Sequence, residues 1–382
     1  IYLNLVLFMH PLFKRFQRTL SDLEKIDGKR YLPDPNQAKG LINLTSNDYL
    51  GLSADKTLKT EFCRFLEQET TDFSSSSSRL LTGNLPIYGR VEHFLAKLFD
   101  KEAALVFNSG YHCNMGILPA LAHQDCLILS DELNHASIID GIRLSKAKCE
   151  CYPHNNLTAL EAKLEAFTGR YEAIFIVTES LFSMDGDKVD LKNLVALKER
   201  YPEVLIYIDE AHAFGLYGTK GLGCAEEQGV IEKIDFLVAT LGKALYGVGG
   251  FVVSSALTRD YLINHMRSLI FTTALPPINW AWNLYLLQRL AHWQDKRKHL
   301  ALISSKMHQA LGRESGTHIL PFVLGDNQKA VDHAIALQKQ GFYVLPIRYP
   351  SVPRGTARLR LSLHAGLSTG DIDNLISALT EL

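Results

Sequence analysis

The sequence has almost no excess charge: 40 Lys and Arg stand against 41 Asp and Glu, a formal net charge of −1 over 382 residues. That balance argues against bulk electrostatic binding to nucleic acid or to an acidic membrane surface. No uninterrupted apolar run reaches 18 residues, whereas a membrane-spanning helix needs about 20. The apolar stretch at residues 1–8 is far shorter than that. It also lacks the basic start and small-residue cleavage site of a secretory signal, and because Met9 follows it, it is expected to precede the natural start. The six cysteines form no C-x-x-C pair and no zinc-ligand spacing, so reduced thiols and a cytoplasmic protein without a metal site are expected. Internal repeats are absent. The only low-complexity stretch, Ser74 to Ser78, reads as a flexible loop.

What is present is a 47% hydrophobic chain long enough for one large α/β domain and a smaller companion, at roughly 150 residues per domain. Short β-rich runs at 103–108, 126–130, 148–152, 173–178, 204–209, 236–240 and 251–254 alternate with helix-period segments such as 138–146, 157–167 and 191–200. This alternation predicts a parallel sheet covered on both faces, with ligands beyond the carboxyl ends of its strands. Residues 266–308 read as mostly helical, broken at Pro276-Pro277. The rest is a small α/β segment: strands at 319–324, 342–345 and 357–363, and helices at 329–340 and 369–382. The expected organisation is a large domain at 51–290, a small one at 291–382, and residues 1–50 packing beside the small domain.

Asp209-Glu210-Ala211-His212 follows an apolar run, and a carboxylate there is costly unless paired. The tetrapeptide spells a helicase box, but the chain has no G-x-x-x-x-G-K-[ST] loop to accompany it. Lys243 lies among glycines and apolar residues between two predicted strands. Most lysines are solvated surface charges; this one has no charged neighbour for several positions, and partial burial favours a nucleophilic amine. Together, Asp209 and Lys243 suggest pyridoxal phosphate, which needs a lysine for its aldehyde and a carboxylate for its pyridine nitrogen. Asn108-Ser109-Gly110-Tyr111 could present backbone N–H groups to a phosphate at a helix N-terminus. His135, after another strand end, could stack on a flat ring, although a lone histidine there is more often a cap or a packed side chain, and only the constellation raises it.

These motifs resemble the α-oxoamine synthases, pyridoxal-phosphate acyltransferases of aminotransferase fold type I. The likeness spans 43–382 and carries six motifs in family order: Ser46-Asn47-Asp48-Tyr49-Leu50-Gly51-Leu52, Ser109-Gly110-Tyr111, Asn134-His135-Ala136-Ser137, the run from Thr178 to Asp187, Asp209-Glu210-Ala211-His212 and Thr240-Leu241-Gly242-Lys243. The resemblance implies a large domain with a mostly parallel seven-stranded sheet and a small α/β domain. It implies that Lys243 carries the cofactor and moves protons, that Asp209 meets the pyridine nitrogen, that His212 meets the phenolic oxygen, and that Ser183 makes a further hydrogen bond to the cofactor. His135 would stack on the ring, while Gly110, Tyr111 and Thr240 would face the phosphate. Thr272 and Thr273 would reach the phosphate of a neighbouring subunit, making a homodimer with shared active sites.

The C-terminal run from Ile347 to Leu361 is similar to the branch that condenses L-alanine with a pimeloyl thioester, of coenzyme A or a carrier protein, in biotin synthesis. On that resemblance Arg360 holds the amino-acid carboxylate, Arg348 is a second active-site arginine, and Ser351 and Arg30 contact the acyl substrate. Tyr349-Pro350-x-Val352-Pro353 is partly shared with the glycine acetyltransferase branch. Non-catalytic subunits of the family lack the lysine that Lys243 supplies.

Overall fold

The computed structural model describes residues 10–68, 72–313 and 316–382; the 1–8 segment lies outside them. Its contacts divide the chain into two compact units, Asn47–Leu302 with His364–Gly366, and the remainder, made of the segment ending at Ser46 with Ile303–Leu363 and Leu367–Leu382.

The larger unit holds a seven-stranded sheet: β1 (Ala103–Phe107), β2 (Cys126–Asp131), β3 (Lys148–Tyr152), β4 (Ala173–Glu179), β5 (Val204–Asp209), β6 (Phe236–Thr240) and β7 (Gly250–Ser254). Their order is β1-β7-β6-β5-β4-β2-β3, and only β7 runs antiparallel to its neighbours. Each strand lies within a residue of its predicted bounds, because an apolar run buried on both faces leaves little latitude. β3, at the edge, is the exception in burial. Cys149 and Cys151 are both exposed there, as residues two apart share one face of a strand.

The helix Gly110–Leu121 is a poor helix by propensity, with Gly110, Gly116 and Pro119 in twelve residues. Glycine costs about 1 kcal/mol and proline about 3 kcal/mol relative to alanine. Packing decides the matter: Cys113, Ile117 and Leu118 are fully buried, against Ile138 and Ile142 of the helix Ala136–Leu144 and Tyr207, Val238 and Val252 of the sheet. Burying each large aliphatic side chain contributes about 1.5–3 kcal/mol. Gly116 is needed for that packing, because a Cβ there would fall 2.1 Å from Ser268 Oγ.

The predicted helical stretch at 266–308 is three α-helices, Arg267–Ile270, Pro277–Leu287 and Gln294–Ala310, with a short 3-10 turn, Leu290–Trp293, before the last. Pro277 begins the second, where its missing N–H costs nothing. The 74–78 segment is irregular: Ser77 O accepts from Ala274 N at 2.9 Å and Ser75 Oγ donates to Leu275 O at 3.2 Å. Among the described residues no helix is long and apolar enough to cross a membrane.

In the smaller unit, Ala357–Ser362 is the middle strand of an antiparallel sheet, between Pro346–Ile347 and Ile319–Gly325. All six of its residues are buried. The pair Ile42–Asn43 and Phe342–Tyr343 is parallel. The last helix, Thr369–Thr380, opens with a capping box in which Ser368 and Asp371 satisfy each other's backbone N–H.

Candidate active site

β1, β2, β4, β5 and β6 all point the same way, so their carboxyl ends share one edge of the sheet. The segments leaving that edge carry Gly110 and Tyr111, His135, Ser183, Asp209 and His212, and Thr240 and Lys243, in that order. Eight sequence-predicted residues from five separate stretches therefore converge because of topology.

Asp209, the last residue of β5, is 5% exposed. Its Oδ2 accepts from Asn114 Nδ2 at 2.7 Å and its Oδ1 from Ala211 N at 2.8 Å. Asn114 lies one turn into the helix that begins at Gly110. Its second Nδ2 proton goes to Ser137 Oγ at 2.9 Å, and its Oδ1 accepts from Tyr207 OH at 2.5 Å. Tyr207 precedes Asp209 by two residues and so shares its face of β5.

Lys243 Nζ lies 2.7 Å from His212 Nε2. His212 Nδ1 lies 2.7 Å from Tyr49 OH, which donates to Asn47 Oδ1 at 2.9 Å. Because a phenol has one proton and gives it to Asn47, its oxygen accepts the Nδ1–H. The Nε2 lone pair is thereby turned to Lys243. Glu210, between Asp209 and His212, takes a structural part: its carboxylate accepts from Cys224 N and Ala225 N at 3.0 and 2.7 Å.

His135 caps the helix Ala136–Leu144, and its Nδ1 accepts from Ser137 N at 3.2 Å and faces Ser137 Oγ at 2.7 Å. Burial lowers its pKa, Asp209 opposes the shift and Lys243 reinforces it. The ring is thus a neutral imidazole with its proton on Nε2. Glu179 ends β4 beside Asp209 in the ladder. Burial, then the Asp209 charge, pushes the Glu179 pKa upward against Lys243 and the backbone N–H of His135.

At the other end of the site, Ser109 caps the helix Gly110–Leu121 by accepting His112 N at 3.1 Å. The N–H groups of Gly110 and Tyr111 have no partner within that helix. Tyr111 OH donates to Asp140. Thr240 Oγ1 donates to Gly249 O at 2.9 Å and accepts from Gly242 N at 3.2 Å. Thr272 and Thr273 lie beside Asn108, whose Nδ2 donates to Thr273 O at 2.9 Å. Ser183 is half-buried at the tip of a turn closed by a Leu181–Lys188 bridge.

The remaining predicted residues belong to the smaller unit. Arg30 Nη2 donates to Ser351 Oγ at 2.7 Å, across 321 positions of sequence. Arg348 O accepts from Ser351 N at 2.8 Å in the same turn. Arg360 is on the middle strand of its sheet and 9% exposed. Asn114 and Tyr49 carried no predicted role. Tyr49 sits inside the quoted 46–52 motif, whereas only the position of Asn114 one turn after Gly110 could have signalled it.

Residues 39–379 match the model of aminotransferase class I and II. An 8-amino-7-oxononanoate synthase from Haemophilus ducreyi is 48% identical over 95% of this chain and 99% of its own. Among solved structures, serine palmitoyltransferase from S. paucimobilis with bound PLP is similar with a TM-score of 0.88 and 28% identity, over 97% of this chain and 98% of that one. An 8-amino-7-oxononanoate synthase from Francisella tularensis gives a TM-score of 0.76 and 29% identity, over 89% and 97%. With a fold-type I sheet, a lysine, carboxylate and histidine on its carboxyl edge and matches along nearly its whole length, the chain belongs to the aminotransferase class I and II family, in its α-oxoamine synthase branch.

Proposed function

We propose that the chain condenses L-alanine with a pimeloyl thioester to give 8-amino-7-oxononanoate in biotin synthesis, using pyridoxal phosphate. The observation that carries this reading is Lys243 Nζ held 2.7 Å from His212 Nε2 on the sheet edge that also holds the buried Asp209. The names of near-full-length relatives supply the substrates.

The residues fit the cofactor. Asp209 offers a fixed carboxylate to the pyridine nitrogen, Lys243 an amine to the aldehyde, and His135 a neutral flat ring. His212 would meet the phenolic oxygen, Ser183 would make a further hydrogen bond to the cofactor, and Gly110, Tyr111 and Thr240 would face the phosphate. Gly250 supports this assignment: a Cβ there would lie 2.8 Å from both Gly110 N and Cys113 Sγ, so the phosphate end is built from close backbone approach. When bound, pyridoxal phosphate supplies an electron sink that lets the Cα–H bond and later the carboxylate bond of the amino acid break.

Lys243 Nζ is the base that takes the α-proton and returns one to the same carbon. His212 orients that amine through its Nε2, and Tyr49 fixes the His212 tautomer. Arg360 holds the alanine carboxylate, a bidentate task suited to guanidinium. Arg348 and the Arg30–Ser351 pair serve the acyl side. A carbon–carbon bond forms between alanine Cα and the thioester carbonyl; the thiol, of coenzyme A or a carrier protein, leaves, and the carboxylate leaves as CO₂. Thr272 and Thr273 serve the phosphate of a second copy in a cytoplasmic homodimer.

Thiol release by the holoenzyme tests the substrate assignment. Alanine with pimeloyl-coenzyme A is expected to outpace glycine with acetyl-coenzyme A. The reverse order points to the glycine acetyltransferase branch and overturns it.

A further inference from the structure

His154 follows β3, outside the machinery described above, yet both its ring nitrogens face carboxylates. Nδ1 lies 2.9 Å from Asp131 Oδ1 at the end of β2, and Nε2 lies 2.7 Å from Asp187 Oδ2 in the turn that carries Ser183. Ionised carboxylates only accept, so both nitrogens donate and the ring is an imidazolium. Burial opposes that charge, but Asp131 and Asp187 outweigh it and raise the His154 pKa to about 10. The ring edge rests on Phe182 at 4.4 Å and 87°. His154 N donates to Glu132 Oε1 at 2.9 Å, the third acidic group facing this residue. Asn155, held at a φ of 53°, donates its N–H to Asp131 Oδ2 at 3.0 Å and its Nδ2 to Asp187 Oδ2.

The hydrogen bonds of His154 and Asn155 to the Asp187 carboxylate fall on Oδ2: its other oxygen, Oδ1, is buried with no hydrogen-bond partner among the described residues. The closing contacts of the turn, Phe182 N to Asp187 O and Gly186 N to Phe182 O, both at 3.0 Å, shape the loop internally. The bridge from Asp131 through His154 to Asp187, flanked by the Asn155 bonds, ties the turn to the sheet edge. Asp131 itself lies four residues before His135, so one charged ring joins the segments that carry two of the assigned cofactor contacts.

We propose that His154 is a positioning residue, a fixed cation that clamps the 181–188 turn to the end of β2 and thereby holds Ser183 in place for the cofactor. The proposal rests on the reading of Ser183 as a cofactor contact, and the test separates the two. The rate of pyridoxal-phosphate release and the pH titration of the cofactor absorption band are measured for wild-type holoenzyme, His154→Gln, Ser183→Ala and the double variant. His154→Gln is expected to release cofactor roughly tenfold faster, the factor that one charge-assisted hydrogen bond commands, and to shift the titration. In the Ser183→Ala background the same substitution should add less than about twofold, since a clamp that acts through Ser183 has nothing left to hold. A full, additive effect in that background, or wild-type behaviour of His154→Gln, overturns the clamp alone. A Ser183→Ala holoenzyme that matches wild type in both readouts overturns the Ser183 assignment, and the proposal with it. Should His154→Gln fail to fold, the same cycle runs with Asp187→Asn, which loosens the contact without leaving an unpaired carboxylate.

Discussion

Replacing Asn114 with alanine strips three buried groups of a partner at once. Asp209 Oδ2 loses its 2.7 Å donor, Ser137 Oγ a 2.9 Å donor, and Tyr207 OH its acceptor at 2.5 Å. Asn114 is 1% exposed and Tyr207 0%, so water does not stand in without rearrangement. A hydrogen bond to a charged group contributes about 1.5–3 kcal/mol, and an unpaired buried hydroxyl costs about 1–3 kcal/mol. Denaturant unfolding should therefore show a loss of roughly 3–5 kcal/mol. Asp209 would remain with Ala211 N as its other donor and would no longer be fixed from the helix side. Equilibrium dialysis should then show pyridoxal phosphate bound about ten to a hundred times more weakly, the equivalent of one or two lost hydrogen bonds. Tyr207→Phe is the control. It removes the hydroxyl yet keeps the Asn114–Asp209 bond, so stability falls by about 1 kcal/mol while cofactor affinity holds. If Asn114→Ala binds the cofactor within twofold of wild type, the idea that Asn114 orients Asp209 is wrong.

Four other outcomes follow from the same geometry. Lys243→Ala should fold normally by circular dichroism but lack both turnover and the absorption near about 420 nm of a lysine-bound pyridoxal cofactor; a retained band would place the linkage elsewhere. Gly250→Ala should weaken cofactor binding and cost about 1–3 kcal/mol in unfolding, because the new Cβ meets Gly110 backbone at 2.8 Å; unchanged affinity would detach this cradle from the phosphate. Arg360→Lys should raise KM for alanine far more than KM for the thioester, since an ammonium cannot make the paired contact; equal changes in both would remove Arg360 from carboxylate binding. The last concerns pH. The His154 pKa is raised from 6.5 to about 10, so its contribution is fully present below pH 6.5 and is lost as pH rises through 10. That contribution is at most about 5 kcal/mol. The stability gap between wild type and His154→Gln should narrow over that window when unfolding is followed by denaturant titration, and a gap that widens toward pH 10 contradicts the clamp's charge.

The strands were legible because an apolar run between amphipathic helices has one good use, and the bounds of β3, β5 and β6 coincide with the predicted ones. Asp209 and Lys243 were legible for the opposite reason: each is a polar residue where burial makes one expensive. Asn114 was not. It meets Asp209 across 95 residues, and only the stacking of its helix on the sheet brings the two together. The Arg30–Ser351 pair is a contact of the same kind. For Arg360, whether its strand lies at an edge depends on sheet order. No local pattern encodes that order.

Carboxyl-labelled L-alanine tests the central claim most directly. Incubated with the holoenzyme and a pimeloyl thioester, it should lose its label as CO₂, one equivalent for each thiol released. The unlabelled product should have the mass of 8-amino-7-oxononanoate. A product that keeps the label, or thiol release without labelled CO₂, contradicts decarboxylative condensation by this chain.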